Sequence, residues 1–111
     1  MPNPESPASV LTVLTTIDDP ARAEALARGA VESRLAACAQ VSAPVTSVYR
    51  WEGAVETARE WQVLLKTTVA RYADLESWLK RHHGYAVPEI VALPVVRGSA
   101  EYLGWVADEV E

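Results

Sequence analysis

The stretch YRWEGAVETAREW, residues 49–61, joins two predicted strands that are unusually long for a chain of 111 residues. Residues 40–51 and 55–68 alternate with a period close to two, and Glu52-Gly53 between them is typical of a tight hairpin turn. A strand of about 14 residues spans roughly 46 Å, whereas a compact chain of this length is about 34 Å across. The hairpin is therefore predicted to overhang its own domain by about 10 Å.

The overhang carries aromatic side chains, namely Tyr49, Trp51 and Trp61. A two-stranded ribbon is marginally stable in isolation, and this one would expose apolar surface. Pairing with another subunit removes both difficulties, so the sequence favours an oligomer. The alternative is a strand that bends onto its own core at Pro44, where proline cannot donate to a ladder and favours a bend or bulge.

The segments before the hairpin predict a buried strand followed by a helix. VLTVLTTI, residues 10–17, is apolar and β-branched on both parities, as in a strand covered on both faces. Asp19 is a good N-cap and Pro20 a good first helical residue. The apolar stripe that follows predicts a helix over about 19–37.

The segments after the hairpin predict a helix, a fourth strand and a last helix. Residues 68–84 place apolar side chains at helical spacing, with Gly84 ready to end the helix; the predicted stripe is Tyr72, Leu75, Leu79 and His82. EIVALPVV, residues 89–96, reads as a strand in which Pro94 indicates an edge or a bulge. Ser99 can cap the final helix.

The order of elements is βαββαβ plus a terminal helix, which predicts an α+β, ferredoxin-like sandwich with an extra C-terminal helix. No repeat or linker divides it, so residues 10–111 are expected to form a single domain. Residues 1–9 are rich in proline and serine and are expected to form a flexible tail.

Composition excludes several classes of protein. The formal net charge is -5 and the basic residues form no stripe, which argues against nucleic acid and anionic membranes as partners. No apolar run approaches the roughly 20 residues of a membrane span, and the N-terminus lacks the features of a signal peptide. The single cysteine, Cys38, rules out an internal disulfide, and a cytoplasmic location is expected.

The tandem histidines His82 and His83 are the most distinctive candidates for chemistry. Imidazoles bind borderline metals, but neighbours on a helix point about 100° apart and do not chelate as an i,i+4 pair does. The alternative is a polar helix end whose charge suits the helix dipole. From the residues alone, both interpretations stand.

Cys38 and the scattered charges give weaker signals. Cys38 follows an apolar run at the predicted helix end, where a small core residue is favoured over a thiolate ligand. An acid–base pair could be drawn from Glu52, Arg59, Lys66 and Glu89, but no catalytic motif or glycine-rich phosphate loop accompanies them. The chain is therefore not expected to be an enzyme.

Five segments together resemble the CutA family of divalent-cation tolerance proteins, over about residues 10–107; they are RLAAC (34–38), VTSVYRWEG (45–53), LLKTT (64–68), HHGYAVPEIVALPV (82–95) and YLGW (102–105). The resemblance implies a ferredoxin-like fold assembled as a homotrimer, with the long hairpins running onto neighbouring subunits. It also implies a cytoplasmic protein linked to tolerance of copper and other divalent ions.

The resemblance further implies a metal site made of tandem histidines and a cysteine on the first strand. His82 and His83 match the histidines, but the strand position holds Thr15, or its neighbours Thr16 or Ile17, and no cysteine. Because Cu(I) prefers sulfur, this departure predicts low-affinity binding of copper or another divalent ion. Gly84 also stands where the family usually has proline.

A second function follows from the architecture that CutA trimers share with PII signalling proteins. On that interpretation a cleft between subunits binds a small metabolite or anion. Its expected wall residues are Trp51, Lys66, Tyr85 and Glu89.

Overall fold

Residues 9–111 are described by the structure, a computed structural model, and they contain five strands and three helices. Apart from Ser9, the predicted N-terminal tail lies outside the described residues. In chain order the elements are β1 (Val10–Ile17), α1 (Pro20–Glu32), β2 (Cys38–Val41), β3 (Val45–Trp51), β4 (Ala54–Thr68), α2 (Val69–His83), β5 (Val91–Pro94) and α3 (Ala100–Glu109).

The strands form an antiparallel sheet in the order β2-β4-β1-β5, and β3 pairs with the outer part of β4. In the register of β1 with β4, Val13 lies opposite Leu65 and Ile17 lies opposite Trp61. β1 is central and pairs with β4 on one edge and β5 on the other. Its Val13 and Ile17 belong to the main core cluster, whereas Val10, of opposite parity, packs in a second cluster with residues of α3. The α+β, ferredoxin-like arrangement is confirmed.

The main core lies where α1 and α2 pack on the sheet. It is built from apolar side chains of these helices and of β1 and β4, among them Val13, Ile17, Leu26, Leu65, Leu75 and Leu79. The two helices approach closely at Gly29, where an added Cβ would lie 2.7 Å from the ring of Trp78. A smaller cluster joins α3 to the start of β1 through Val10, Ala37, Leu103, Val106 and Val110.

The overhanging hairpin is present. β4 has 15 residues, and β3 pairs only with its outer part, from Ala54 to Glu60. The described chain measures 49 × 25 × 24 Å, so it is about twice as long as it is wide. A tight turn closes the tip, with both central residues at positive φ, Glu52 at 49° and Gly53 at 83°.

The predicted strand 40–51 is interrupted in the structure and forms two strands, β2 and β3. At the break, the side chain of Ser42 makes hydrogen bonds to the backbone. Its hydroxyl accepts from the N–H of Gln62 (3.0 Å) and donates to the carbonyl of Ala43 (2.7 Å). Pro44 follows directly and has no N–H to continue the ladder. The predicted bend therefore lies at the base of the overhang.

The predicted helix 19–37 is too long, because α1 ends at Glu32. Arg34 adopts a left-handed conformation (φ 60°), its N–H donates to Val31, and the N–H of Leu35 donates to Ala30. These two bonds form a Schellman motif. The apolar pattern continues through 35–37 because those residues are buried, but they are no longer helical. The start of the helix is as predicted, since the Asp19 carboxylate accepts from the N–H of Ala21.

Two further predictions near the C-terminus need correction. The fourth strand is shorter than 89–96 and covers only Val91–Pro94, although it is an edge strand as Pro94 indicated. The buried face of α2 continues from Leu75 and Leu79 to His83, whereas His82 is exposed. The spacing of four residues from Leu79 therefore identifies the inward-facing histidine. Ser99 caps α3 by accepting from the N–H of Tyr102, as predicted.

Candidate functional site

His83 lies at the end of α2, fully buried under the end of β1. Its Nε2–H donates to the carbonyl of Thr16 (2.8 Å), and its Nδ1 accepts a long bond from the N–H of Tyr85 (3.4 Å). The guanidinium of Arg22 donates to the carbonyl of His83, and Gly84 follows at φ 101°. Burial lowers the pKa of His83, and the nearby positive charge of Arg22 acts in the same direction.

His82 directly precedes His83 but faces solvent. It is exposed, and its ring stacks on Trp78 with centroids 4.3 Å apart and planes 23° apart. Its Nδ1 lies 2.8 Å from the carbonyl of Trp78, so Nδ1 carries the proton and donates. The lone pair is therefore on Nε2, which is the nitrogen that can bind a metal.

The two histidines therefore do not form a chelating pair in this conformation. Both ring nitrogens of His83 are used in hydrogen bonds, whereas His82 keeps one nitrogen for a ligand. Among the described residues, no group of three or more histidine, cysteine or acidic side chains is arranged to hold a metal ion. Thr15 is at the predicted position of the strand cysteine. Its hydroxyl is buried and has no hydrogen-bond partner within residues 9–111.

A groove of about 580 Å³ lies where the hairpin meets the end of β1 and the segment after α2. It brings together three of the four predicted cleft residues, Trp51, Tyr85 and Glu89. Lys66 is not among its lining residues. The full lining consists of Thr16, Asp18, Ser47, Val48, Tyr49, Trp51, Glu56, Ala58, Glu60, Tyr85, Ala86, Val87 and Glu89.

The groove is acidic, with four carboxylates and no lysine, arginine or histidine among the described residues that line it. Glu60 is only 7% exposed, and its carboxylate accepts from the hydroxyl of Tyr85 (2.9 Å). Glu89 accepts from the hydroxyl of Thr16 (3.4 Å). Burial and the bond to Glu60 raise the pKa of Tyr85, so this hydroxyl remains a donor.

Sequence reasoning missed the other three carboxylates of the groove, Asp18, Glu56 and Glu60. Glu56 and Glu60 share one parity of β4, and Tyr49 lies directly opposite Glu56. The alternation of charge and aromatic side chains along the hairpin was the available signal. Asp18 could not be found in this way because it joins the groove only through the fold.

Lys66 and Cys38 belong to a different part of the sheet. They lie opposite each other on β4 and β2, and the Cys38 Sγ is 3.2 Å from the hydroxyl of Tyr102. This bond, followed by burial, raises the pKa of Tyr102 to about 12. The prediction that Cys38 is a core residue is wrong, because the side chain is only partly buried and lies on a strand instead of at a helix end.

The fold and the site together define a class of protein: a small ferredoxin-like domain with an overhanging hairpin and tandem histidines at the end of its second helix. Within residues 9–111, no helix is long and apolar enough to span a membrane. Residues 11–109 match the CutA1 divalent ion tolerance protein family, and the chain belongs to that family.

Relatives cover most of the chain. The divalent-cation tolerance protein CutA of Thermus thermophilus is 43% identical over 96 residues, which are 86% of this chain and 93% of the relative. The protein of the same name from Escherichia coli is 46% identical over 98 residues, 88% of this chain and 87% of the relative.

Solved structures agree with the fold. CutA from Synechococcus elongatus superposes with a TM-score of 0.89 at 38% identity, covering 94% of this chain and 92% of that one. A protein described as the periplasmic divalent cation tolerance protein CutA from Archaeoglobus fulgidus gives 0.88 at 33% identity, covering 92% and 99%.

Proposed function

We propose that this chain is a homotrimeric, non-enzymatic protein of the cytoplasm that acts in tolerance of divalent metal ions and binds copper or a similar ion weakly. Membership of a family named for divalent-cation tolerance supports the general role. The ion, the assembly and the location are the parts proposed here.

The free Nε2 of His82 carries the proposal of metal binding. This nitrogen is on an exposed ring whose other nitrogen is fixed by the carbonyl of Trp78, so the tautomer and the ring plane are set before a metal arrives. Such outer partners orient ligating histidines in metal sites. One imidazole completed by water is a weak site, in agreement with the low affinity predicted from the missing cysteine.

His83 is proposed as a ligand only if its ring leaves its present position. Binding through Nε2 would break the bond to the carbonyl of Thr16 and leave that buried acceptor unpaired. Joint binding by His82 and His83 therefore requires the end of α2 to unwind. The proposed order of importance is His82 first and His83 second.

The overhanging hairpin supports the trimer. Tyr49 and Trp51 on the ribbon are 41% and 42% exposed, and Val48 and Val55 are 66% and 63% exposed. In this ribbon each strand is paired along one edge alone. A second copy of the chain that covered its exposed apolar surface would therefore stabilise it.

The proposal that the chain is not an enzyme is supported by the separation of the charges that could form an acid–base pair. Glu52 is in the turn at the hairpin tip, Lys66 is in the middle of the sheet opposite Cys38, and Glu89 is in the groove. No two of these three share a site.

Calorimetric titration with Cu(II) and Zn(II) tests the metal proposal. The wild-type chain is expected to bind weakly, His82→Ala to lose binding, and His83→Ala to retain most of it. Cys38→Ser is the matched control, because it removes the only sulfhydryl and is expected to leave binding unchanged. Equal binding by the wild type and His82→Ala would overturn the proposal.

The alternative function, a signalling trimer with a metabolite cleft, is modified by the groove. Four carboxylates with no cation among the described lining residues disfavour a small anion there. The groove instead favours a cationic metabolite, with Trp51 and Tyr85 as aromatic walls. Screening a panel of small amines and small anions for a rise in the melting temperature distinguishes a cationic from an anionic ligand.

A further inference from the structure

The groove beside the hairpin follows the length of the ribbon, and its two ends differ from its middle. Near the tip, the lining face carries Tyr49 opposite Glu56, and at the base it carries Glu60. Between them, cross-strand pairing places Ser47 opposite Ala58. Because both of these side chains are small, they leave room between an acidic, aromatic end and a second acidic end.

The separation of the two acidic ends follows from strand geometry. Glu56 and Glu60 are four residues apart on β4, and a strand rises about 3.3 Å per residue, so their Cα atoms are roughly 13 Å apart. Carboxylates with this spacing do not converge on one small ion. Within residues 9–111, no three histidine, cysteine or acidic side chains are arranged to hold a metal. The spacing instead suits an extended ligand with a positive group at each end.

Glu60 is the residue that points most directly to a ligand. Its side chain lines the groove but is only 7% exposed. Its Oε2 accepts from the hydroxyl of Tyr85 (2.9 Å), whereas its Oε1 has no hydrogen-bond partner among the described residues. No ion pair within residues 9–111 involves Glu60. Because a nearly buried carboxylate is costly without a positive charge, its free oxygen is an acceptor for a cationic donor that enters the groove.

Other side chains provide further contacts for positive groups at both ends. At the base, the hydroxyl of Tyr85 donates its proton to Glu60, so the lone pairs of the phenolic oxygen remain free to accept from a ligand. At the tip, the rings of Tyr49 and Trp51 are 41% and 42% exposed. Aromatic faces attract ammonium groups, so each end of the groove offers two kinds of contact to a cation.

We propose that the groove binds a linear aliphatic polyamine, with one terminal ammonium group at Glu60 and Tyr85 and the other at Glu56 beside the exposed rings. The methylene chain of the ligand spans the small side chains in the middle. Val55 has the opposite parity, so the other face of the ribbon stays available for the proposed assembly. The inference rests on the alternative function proposed above, a cleft for a cationic metabolite, and identifies the class of that metabolite.

Calorimetric titration of the full chain with spermidine tests this site. A salt concentration of about 0.15 M screens general attraction to the acidic protein. Spermidine is expected to bind at least about tenfold more tightly than n-butylamine, which has a single ammonium group. Glu56→Gln and Glu60→Gln are each expected to weaken spermidine binding by about tenfold, because each removes a charge but keeps a hydrogen-bond acceptor. Glu101→Gln makes the same change in net charge on an exposed position of α3 and is expected to bind like the wild type.

The outcomes separate this inference from the function on which it rests. Glu56 is exposed, so Glu56→Gln is expected to fold normally and keeps the test decisive if Glu60→Gln does not fold. Equal binding of spermidine and n-butylamine, or equal binding of spermidine by Glu56→Gln and Glu101→Gln, overturns the polyamine site. The melting-temperature panel then decides separately whether the cleft binds another small ligand. If neither spermidine nor any amine or anion of the panel binds, the cleft function is lost together with the inference.

Discussion

The two halves of β4 have the same secondary structure but very different surroundings. The inner half, Trp61–Thr68, lies between β1 and β2, and its side chains Val63 and Leu65 are fully buried. The outer half, Ala54–Glu60, is paired only with β3, and Val55 is 63% exposed. One continuous strand therefore passes from a core to an overhang.

The difference shows which part of the strand a single copy can stabilise. The inner half is held by the core that α1 and α2 cover, so its stability is a property of one chain. The outer half is paired with a strand on one side and is little buried, so further stability must come from contact with another copy of the chain. Substitutions in the two halves should accordingly differ in size and in their dependence on protein concentration.

Leu65→Ala should produce the largest effect on the inner half. Leu65 is 0% exposed in the main core, and such truncations cost about 2–5 kcal/mol of unfolding free energy. Val55→Ala removes an exposed side chain and should cost no more than about 0.5 kcal/mol in the isolated chain. Urea unfolding followed by circular dichroism, at several protein concentrations, measures both.

Equal costs of the two truncations at low protein concentration would show that the overhang is part of the core of a single chain. The expected result is that the cost of Val55→Ala grows with protein concentration while that of Leu65→Ala stays constant. That result would locate the contact between copies on the outer half.

Two glycines allow the end of α2 to be compared with the tip of the overhang, because Gly84 follows α2 and Gly53 is in the hairpin turn. Gly84 and Gly53 have φ values of 101° and 83°, so an alanine is strained at either position. An added Cβ at Gly84 would also collide with the guanidinium of Arg22, whereas at Gly53 nothing lies within 4 Å. Gly84→Ala should cost roughly 2–3 kcal/mol and Gly53→Ala about 1 kcal/mol, by thermal unfolding. Equal costs would mean that Arg22 moves away freely and does not secure the end of α2.

The elements of the fold were predictable because their signals are local. The period of two in 55–68, the cap at Asp19 and the glycine at 84 each depend on a few neighbouring residues, and each is confirmed. The end of α1 was missed because Arg34 adopts the left-handed conformation that glycine usually supplies. Arginine gives no such signal in a sequence.

The site was predictable only in part because its geometry depends on distant segments. His82 and His83 were found as a pair, and the spacing of four residues from Leu79 indicates which one faces inward, but the bond of His83 to the carbonyl of Thr16 depends on how α2 packs under β1. The groove joins residues near positions 16–18, 47–60 and 85–89, and no periodicity relates segments so far apart. Lys66 was predicted as a wall residue of the same cleft, yet the register of β4 places it opposite Cys38.

The smallest expected effect is a pH dependence of the free energy of unfolding. It arises from His83, which contacts the end of β1. Burial lowers the pKa of His83 in the folded chain, and in the unfolded chain the pKa is about 6.5. As the pH falls below about 6.5, the unfolded chain binds a proton before the folded chain does. The stability contributed by neutral His83 is therefore complete above that pH and is lost as the pH falls towards the folded pKa.

His83→Gln should flatten this dependence, because glutamine keeps an amide donor near the carbonyl of Thr16 and does not titrate. His82→Gln, one residue earlier on the exposed side, retains His83 and should therefore retain the slope. Urea midpoints between roughly pH 7 and pH 5.5 isolate the imidazole from most carboxylates. An unchanged slope in His83→Gln would show that His83 does not couple protonation to folding.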